Sequence, residues 1–429
     1  MKGAHIMAEM QKFTPGVYLD WEKDEVQLRL DQAAGKVPSG GGPMGGFKMP
    51  DPKPYTFEEI YEYNHKWDPF NPLFNDRDYA IKAGYKGLPA MPGFAGMAGA
   101  GVQGFPKDIA SKFFYTNDGT DIYLYKPVVE GDFLKRGESK TDFREVTEPG
   151  STVRAWYMGG EGTMVDEAGN VVIKAIGNTR DCYSKFIDGT PDLTYTENMS
   201  AWYDYFPPMH YTTDDEWDYI RELWKKEEIR GGDKLYWEDV QVGTFMPETC
   251  SGPIGYMEMI ALYGNRMGFT REQLSDPKFL KTQFRDASGN YLFETAIHLG
   301  TRNWPNGRMV WYNDTGARHV MRTVTNYIGD AGYVSRFCWR FFPFFKEMRT
   351  SFVPLDYDLI TRVVPGYENR PLNRHGSEGD TCIGKAYIYN KRIDELGRHV
   401  IDICAWGETL DGDIVQVCPM AAVLPSRGE

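Results

Sequence analysis

A ten-residue stretch, 67–76, concentrates the side chains with the most potential for chemistry. It reads Trp-Asp-Pro-Phe-Asn-Pro-Leu-Phe-Asn-Asp. Asp68 is a carboxylate that could act as a general base, and Asn71 and Asn75 could orient a water molecule or an amide-like ligand group. The same residue types also cap helices and satisfy the hydrogen bonds of their own turns. Two interpretations therefore stand, a polar ligand-binding loop and a proline-rich exit from a helix.

Two predicted helices hold this stretch in place. The pattern predicts a helix over 56–66 before it, and a shorter one over 77–83 that ends at Gly84. The two prolines prevent one continuous helix, because proline lacks the amide hydrogen and clashes with the preceding turn. An irregular polar loop among aromatic residues favours a ligand pocket. Those aromatic residues are Tyr61, Tyr63, Trp67, Phe70, Phe74, Tyr79 and Tyr85.

Composition indicates a globular chain long enough for two domains. Its 429 residues are 41% hydrophobic, 25% charged and 14% aromatic. The formal net charge of -13 argues against nucleic acid or an anionic membrane as a partner, since phosphate binding needs clustered Lys and Arg. No apolar run reaches membrane-spanning length and the N-terminus has no signal-peptide pattern, so no membrane association is expected.

Cysteine and histidine usage predicts a cytoplasmic protein with no metal or other cofactor. The six cysteines are scattered without a CxxC pair. In a large acidic chain this indicates reduced thiols in the core. The seven histidines show no HxH or HExxH spacing, so a dedicated metal site is not expected.

The polar stretch also resembles a known family. Its residues Asn71-Pro72-Leu73-Phe74-Asn75-Asp76, followed by Tyr79-Ala80 and Gly84-Tyr85-Lys86-Gly87, are similar to the overhang segment of MaoC-like acyl dehydratases. These are hot-dog-fold enoyl-CoA hydratases whose motif is roughly Gly-Asp-x-Asn-Pro-Leu-His-x-Asp. The chain departs from that motif at two positions. Phe74 stands in place of the catalytic His and Pro69 in place of the catalytic Asp, with Asp68 one position away.

A second segment, 230–253, strongly resembles the start of the second hot-dog half in two-domain acyl dehydratases. It runs Arg-Gly-Gly, then Tyr-Trp-Glu-Asp-Val, then Val-Gly and Gly-Pro. The resemblance covers about 55–425. It implies an α+β fold, a double hot-dog in which each of two repeats wraps an antiparallel sheet around a central helix, with the two sheets joined edge to edge.

The predicted organisation has four parts. An N-terminal extension over 1–52, Gly-rich and poorly structured or wrapped on the surface, precedes a first hot-dog domain over 53–186. A helical linker over 187–232 leads to a second hot-dog domain over 233–429, with an insertion near 266–308. Internal repetition supports a duplicated fold: Asn75-Asp76 is echoed by Asn313-Asp314 at an offset of 238, and 129–132 by 377–380 at an offset of 248.

Periodicity and turn residues predict the elements of both halves. Helices are expected over 88–105, 213–228 and 256–264. Strands are expected over 121–125, 139–146, 152–159 and 171–178 in the first half, and over 381–389, 400–408 and 414–424 in the second.

Hydration of an enoyl thioester needs one group that activates water and returns a proton to the α-carbon, and another that holds the thioester carbonyl. The resemblance implies that an overhang Asp and His share one water and that a helix N-terminal amide polarises the carbonyl. The internal alignment puts Trp311 and Asn306 at the His and Asp positions of the second copy. Since both copies lack the pair, the acting groups must come from nearby residues.

The candidates for catalysis are Asp68, His298, Asn71, Asn75 and Tyr85. His298 lies in an apolar run, where a lone histidine also fits a core position. The candidates for substrate binding are Phe74, Trp311, Tyr312, Asn306, Lys86, Arg318, His319 and Arg322. The basic residues among them, together with Lys82, are placed to contact CoA phosphates or are ordinary solvated charges.

The sequence thus predicts a hydro-lyase that adds or removes water at the double bond of an acyl-CoA or related thioester, through a non-standard catalytic pair. Coenzyme A enters only as part of the substrate, and a homodimer or larger homo-oligomer is expected. Two alternatives remain open. One is a catalytically silent acyl-CoA-binding partner subunit, and the other is a hot-dog thioesterase that uses Asp68.

Overall fold

The computed structural model describes residues 12–36, 52–94, 114–151, 154–183, 210–255, 311, 315–340 and 376–428, with isolated residues at 258, 275, 277, 284–285 and 291–292. Its helices are α1 (Asp20–Ala33), α2 (Phe57–Trp67), α3 (Pro72–Asn75), α4 (Arg77–Lys82), α5 (Asp214–Lys226) and α6 (Thr315–Ile328). Its strands are β1 (Phe114–Leu124), β2 (Lys135–Glu145), β3 (Arg154–Val165), β4 (Val171–Tyr183), β5 (Thr249–Ser251), β6 (Phe284–Arg285), β7 (Tyr291–Leu292), β8 (Tyr333–Arg340), β9 (Cys382–Ile393), β10 (His399–Glu408) and β11 (Ile414–Val423).

Nine of these strands form one antiparallel sheet in the order β2-β3-β4-β1-β8-β11-β10-β9-β5. The first half of the chain supplies four neighbouring strands and the second half supplies the other five. β6 and β7 pair separately. The α+β class is therefore confirmed. Within the described ranges, every helix is too short or too polar to cross a membrane.

The two halves of the sheet meet where β1 pairs with β8. Ile122 lies opposite Phe337 in this pairing, and both are buried in the hydrophobic core. Arg336 donates to the buried carboxylate of Asp121 at 3.1 Å across the junction. The strands of the two halves therefore form one continuous sheet, and this pairing covers one strand edge from each half.

Helix α6 packs on the sheet of the second half and is buried along nearly its whole length. Val320, Met321 and Val324 are fully buried and belong to the core. The residues at 318, 319, 322 and 326 are polar or charged although they too are buried. A helix with this pattern needs polar partners on its second face, and the stretch 67–76 provides them.

The repeated motif at 129–132 and 377–380 folds into the same turn in both halves. The Asp132 carboxylate accepts from the Val129 amide at 2.9 Å, and the Asp380 carboxylate accepts from the Ser377 amide at 2.7 Å. Gly131 and Gly379 adopt positive φ angles of 83° and 89°, which glycine reaches without strain. This part of the predicted internal repeat is confirmed.

The other predicted repeat is in a different register. The Ala90 amide donates to Val128 and the Trp311 amide donates to Gly376, each at 2.8 Å. Since 128 and 376 share the 248 offset of the turn, Trp311 corresponds to Ala90. The alignment of Trp311 with Phe74 is therefore wrong. The number of residues between this position and the turn that follows it differs between the two halves, so a constant offset does not align them.

Local signals predicted most of the described elements correctly. The helices expected over 56–66, 77–83 and 213–228 are α2, α4 and α5, and the strands expected in both halves are present. The segment expected to begin a helix at 88 is a bridge and a turn as far as 94, because Pro89 pairs with Val129. The rest of that helix, the helix over 256–264 and most of the insertion over 266–308 lie outside the described residues.

The N-terminal extension is more ordered than its composition predicts. It contains α1, and Phe13 is buried against the guanidinium of Arg154 at 4.7 Å from the ring centroid. Arg154 is itself buried, donates to the carbonyl of Thr14 and pairs with Glu145 at 2.6 Å. Of the two predicted alternatives for this segment, wrapping on the surface agrees with these contacts of 12–36 with β2 and β3, which come from residues distant in sequence.

Candidate functional site

The polar stretch is held in place by one buried side chain, Asn64 of α2. Its amide nitrogen donates to the carbonyls of Phe74 and Pro89 at 2.7 and 2.9 Å, and its oxygen accepts from the Met91 amide at 2.8 Å. Asn64 is 0% exposed, so these bonds are sheltered from water. One residue thus ties the helix, the loop after it and the following extended segment together.

The loop satisfies its own backbone with its asparagines. Asn71 caps α3 by accepting from the Leu73 amide at 3.0 Å, and Pro72 follows at the first helical position. Asn75 donates to the carbonyls of Asp68 and Asn71 at 2.7 and 2.9 Å. The segment expected to be irregular therefore contains a one-turn helix. The side-chain amide of Asn75 donates to the backbone of the loop itself.

Asp68 is the carboxylate that the loop delivers to the interior. It ends α2 and is 0% exposed. Its Oδ1 accepts from the amides of Phe70 and Asn71 at 3.3 Å each. Among the described residues, its Oδ2 has no hydrogen-bond donor. Burial raises the pKa of Asp68, and the positive charge of Arg322 opposes that rise without cancelling it.

Arg322 approaches Asp68 from α6 but makes its hydrogen bonds elsewhere. One outer nitrogen donates to the Ser251 hydroxyl at 3.0 Å and the other to the Glu227 carboxylate. The Nε atom lies 3.6 Å from Asp68 Oδ1 and has no hydrogen-bond partner in the described part of the chain. The guanidinium also lies over the ring of Phe70, 5.5 Å from its centroid. The buried cluster thus joins one cation with two carboxylates.

His319 is the second buried group with free hydrogen-bonding capacity. It precedes Arg322 by one helical turn, is 5% exposed, and neither ring nitrogen has a partner among the described residues. Burial and the nearby charge of Arg322 lower the pKa of His319 to about 3. The imidazole is therefore neutral, with one nitrogen as donor and the other as acceptor. Its ring meets that of Trp67 edge to face at 5.7 Å.

Arg318 adds a second guanidinium on the same helix. It lies over the rings of Tyr63 and Trp67, at 5.1 and 5.0 Å from their centroids. Burial lowers the pKa of Arg318 to about 9. Aromatic faces stabilise a cation in such a site through their negative quadrupole. Positive charge is thus held against Trp67, whose ring also contacts His319.

Replacing Asp68 with Asn is expected to stabilise the fold at neutral pH by about 1 kcal/mol, the size typical of one stabilising substitution. The folded chain binds the Asp68 proton more tightly than the unfolded chain does. The carboxyl of Asp68 therefore makes its full contribution to the free energy of unfolding below its ordinary pKa of 3.8. That contribution is lost as pH rises through the higher pKa that Asp68 has in the folded protein. Asn keeps an acceptor for the Phe70 and Asn71 amides and carries no charge to bury.

Urea unfolding of wild type and Asp68→Asn at several pH values from 4 upward checks this, since the difference between the proteins isolates one carboxyl. The advantage of the Asn variant should grow with pH. A variant less stable than wild type at pH 7 would show that the carboxylate is net stabilising. Asp78→Asn, an exposed position on α4, is the matched control.

Several other predicted site residues are buried in the core or are engaged in contacts away from the Asp68 cluster. Phe74 is buried in the core, and so is Trp311. Tyr85 donates to the Asp330 carbonyl at 3.0 Å, and burial raises its pKa to about 12, so it stays protonated. Lys86 pairs with Asp132 at 2.6 Å, and Lys82 is exposed. His298, Asn306 and Tyr312 lie outside the described residues.

Sequence reasoning missed three members of the cluster: Glu227, Ser251 and Asn326. Asn326 donates to Glu227 at 3.1 Å and accepts from Asn71 at 3.4 Å. The polar spacing 318, 319, 322 and 326 on one otherwise apolar helix could have identified Asn326, whereas Glu227 and Ser251 lie on other elements and reach the cluster only through packing. Among the described residues, no group of three or more His, Cys, Asp and Glu is placed to hold a metal ion.

The sequence matches no family model and no curated protein. In structure the chain is similar to a MaoC-like dehydratase, with a TM-score of 0.46 and 14% identity over 89% of this chain and 97% of that one. It is also similar to a putative MaoC domain protein dehydratase from Chloroflexus aurantiacus J-10-fl (TM-score 0.46, 14% identity, 92% and 99% covered). A conserved hypothetical protein of Mycobacterium tuberculosis, described as having a double hotdog fold, aligns with a TM-score of 0.42 and 13% identity over 90% and 99% of the two chains.

Proposed function

We propose that this protein is a hydro-lyase that adds or removes water at the double bond of an acyl thioester. One observation carries the proposal. The two buried groups Asp68 and His319, a carboxylate and a neutral imidazole, both flank Arg322 and both have hydrogen-bonding atoms with no partner in the described part of the chain. Buried polar atoms normally have partners, so such atoms in one cluster are suited to a bound water and substrate.

The chemistry assigns one role to each group. Asp68 takes a proton from water as the water oxygen bonds to the β-carbon, and the electron pair of the double bond moves toward the thioester. Asp68 then returns that proton to the α-carbon, so the net change is addition of one water. Burial raises the pKa of Asp68, which makes it a stronger base than an exposed carboxylate. Neutral His319 orients the water through one ring nitrogen, and its other nitrogen is left for the substrate.

We assign the negative charge that develops on the thioester oxygen to the guanidinium of Arg318, which lies between Tyr63 and Trp67. The histidine of the pair would then come from α6, while the overhang supplies the carboxylate. This relocation accounts for Phe74 in the overhang position where the resembling family carries its histidine. We further propose the double hot-dog arrangement, with coenzyme A as the carrier of the acyl group and a homodimer or larger homo-oligomer as the assembly.

The test is an assay of the purified protein against a panel of enoyl-CoA thioesters with short, branched and aromatic acyl groups. We expect loss of enoyl absorbance together with a gain of one water in mass. Asp68→Asn and His319→Gln should each lower kcat by at least about 100-fold, the lower range for loss of general acid-base catalysis. Asp78→Asn and His399→Gln, which lie on α4 and at the start of β10, are the matched controls and should keep wild-type rates.

The partner-subunit alternative is favoured by the ion pair that Asp68 makes with Arg322 and by the Phe at position 74. Binding of CoA thioesters with no conversion across the whole panel would establish that alternative and overturn the hydro-lyase proposal. Release of free thiol, read with a thiol reagent, would instead indicate thioester hydrolysis. Full activity in both Asp68→Asn and His319→Gln would place the chemistry elsewhere in the chain.

A further inference from the structure

Glu227 lies at the point where the linker helix α5 meets the candidate site. It directly follows the last residue of α5, and its side chain is only 11% exposed. Its Oε1 accepts from both Arg322 and Asn326 of α6. A glutamate at a helix end usually turns toward water, where its charge is well solvated. The inward orientation of Glu227 therefore needs a reason beyond the capping of α5.

The contacts of Glu227 determine which face of Arg322 meets Asp68. A guanidinium pairs most strongly with a carboxylate through two parallel N–H donors. Here the two outer nitrogens are engaged by Glu227 and Ser251. Only Nε faces Asp68, at 3.6 Å, which is beyond a normal hydrogen bond. Arg322 is thus turned so that it contributes charge to Asp68 without occupying its second oxygen.

We propose that Glu227 is a positioning residue that keeps Arg322 from pairing fully with Asp68, and so keeps the Asp68 carboxylate free to act as the base. This inference rests on the proposed hydro-lyase function. Glu227 also adds a second negative charge to the cluster, which favours the basic character of Asp68. In the described part of the chain, the other titratable or charged groups facing the cluster are Arg318 and His319 on α6, Tyr63 on α2, Cys250 on β5 and Cys382 on β9.

The test replaces Glu227 with Gln, which keeps the shape and removes the charge, and uses exposed Glu228→Gln as the matched control. Carbon-13 NMR of protein labelled at the aspartate carboxyls follows the titration of Asp68, and the absence of its resonance in Asp68→Asn assigns it. We expect the Asp68 midpoint to fall in Glu227→Gln, because Arg322 turns toward Asp68 and a neighbouring anion is lost. In the Glu228→Gln control, the titration midpoint of Asp68 should equal that of wild type.

Kinetics on the same proteins give the second readout. Glu227→Gln should lower kcat about tenfold with little change in KM, a fraction of the roughly 10²–10⁴-fold available from general base catalysis. The acid limb of its kcat/KM profile should move to lower pH. Glu227→Asp, which retains the charge, should recover part of kcat. A purely structural role would change stability without moving the acid limb.

An Asp68 midpoint that is the same in Glu227→Gln and wild type would overturn the inference. If that variant does not fold, Ser251→Ala removes the other partner of Arg322 and should lower the midpoint in the same direction. An unchanged midpoint there would overturn the inference equally. Because NMR reads Asp68 without substrate, a lowered midpoint in an inactive protein would support the positioning role and overturn only the proposed hydro-lyase function.

Discussion

Arg322→Met is expected to lower the free energy of unfolding by about 3–5 kcal/mol, the cost typical of removing one member of a buried ionic cluster. Methionine fills much of the same volume, so the loss comes from charge. Asp68 and Glu227 would remain buried with no cation between them, and the Ser251 hydroxyl would lose its donor. At neutral pH the two carboxylates would repel each other.

Urea unfolding at pH 7 checks this result, with Arg77→Met as the control. Arg77 pairs with Glu130 at 2.8 Å but is 50% exposed, and pairs of this kind contribute about 0–1 kcal/mol. The cost of Arg322→Met should fall at acid pH, where protonation of Asp68, whose pKa is raised by burial, relieves this repulsion. A loss no larger than that of Arg77→Met would show that the cluster is hydrated and that its charges are screened.

Asn64→Leu should destabilise the protein by at least about 3 kcal/mol, because each buried polar group left without a partner costs about 1–3 kcal/mol. The substitution removes three hydrogen bonds, those to the carbonyls of Phe74 and Pro89 and from the Met91 amide. Leucine has a similar volume, so the lost hydrogen bonds dominate the change. The loop that carries Asp68 should loosen with them.

The same unfolding measurement, combined with amide hydrogen exchange over 68–75, tests this second prediction. Exchange in the loop should become faster in Asn64→Leu than in the rest of the chain. Asn170→Leu, at an exposed turn between β3 and β4, is the control and should stay within about 0.5 kcal/mol of wild type. Unchanged exchange in the loop would show that other contacts hold it in place.

Features that depend on neighbours along the chain could be predicted from sequence. Thr56 and Thr213 begin α2 and α5 through capping boxes with Glu59 and Glu216, and both helices start where the sequence indicates. The turns at 129–132 and 377–380 form because an Asp three residues on accepts from the first amide of each turn. Such bonds span only three residues, so residue types and spacing are sufficient to predict them.

Elements whose stability comes from distant contacts were missed or misplaced. Strand β8 has neighbours from both halves of the chain, β1 on one side and β11 on the other. The segment before α1 is ordered by Arg154, which lies more than a hundred residues further along. The register of Trp311 against Ala90 emerged only from the paired hydrogen bonds to Gly376 and Val128. Insertions of variable length between matching turns hide this equivalence from sequence comparison.

From local patterns the sequence predicted that Asp68 ends a helix in a polar, aromatic loop resembling an acyl dehydratase overhang, and that 129–132 and 377–380 form the same turn. The partners of the Asp68 side chain, by contrast, depend on contacts between segments that are distant along the chain. Asn71 and Asn326 bond across 255 residues, and Glu227 reaches Arg322 across 95. The state of His319 depends on burial by Trp67 and on the charge of Arg322. Desolvation and charge proximity act through space, so the packing of α6 against the loop sets the chemistry of these side chains.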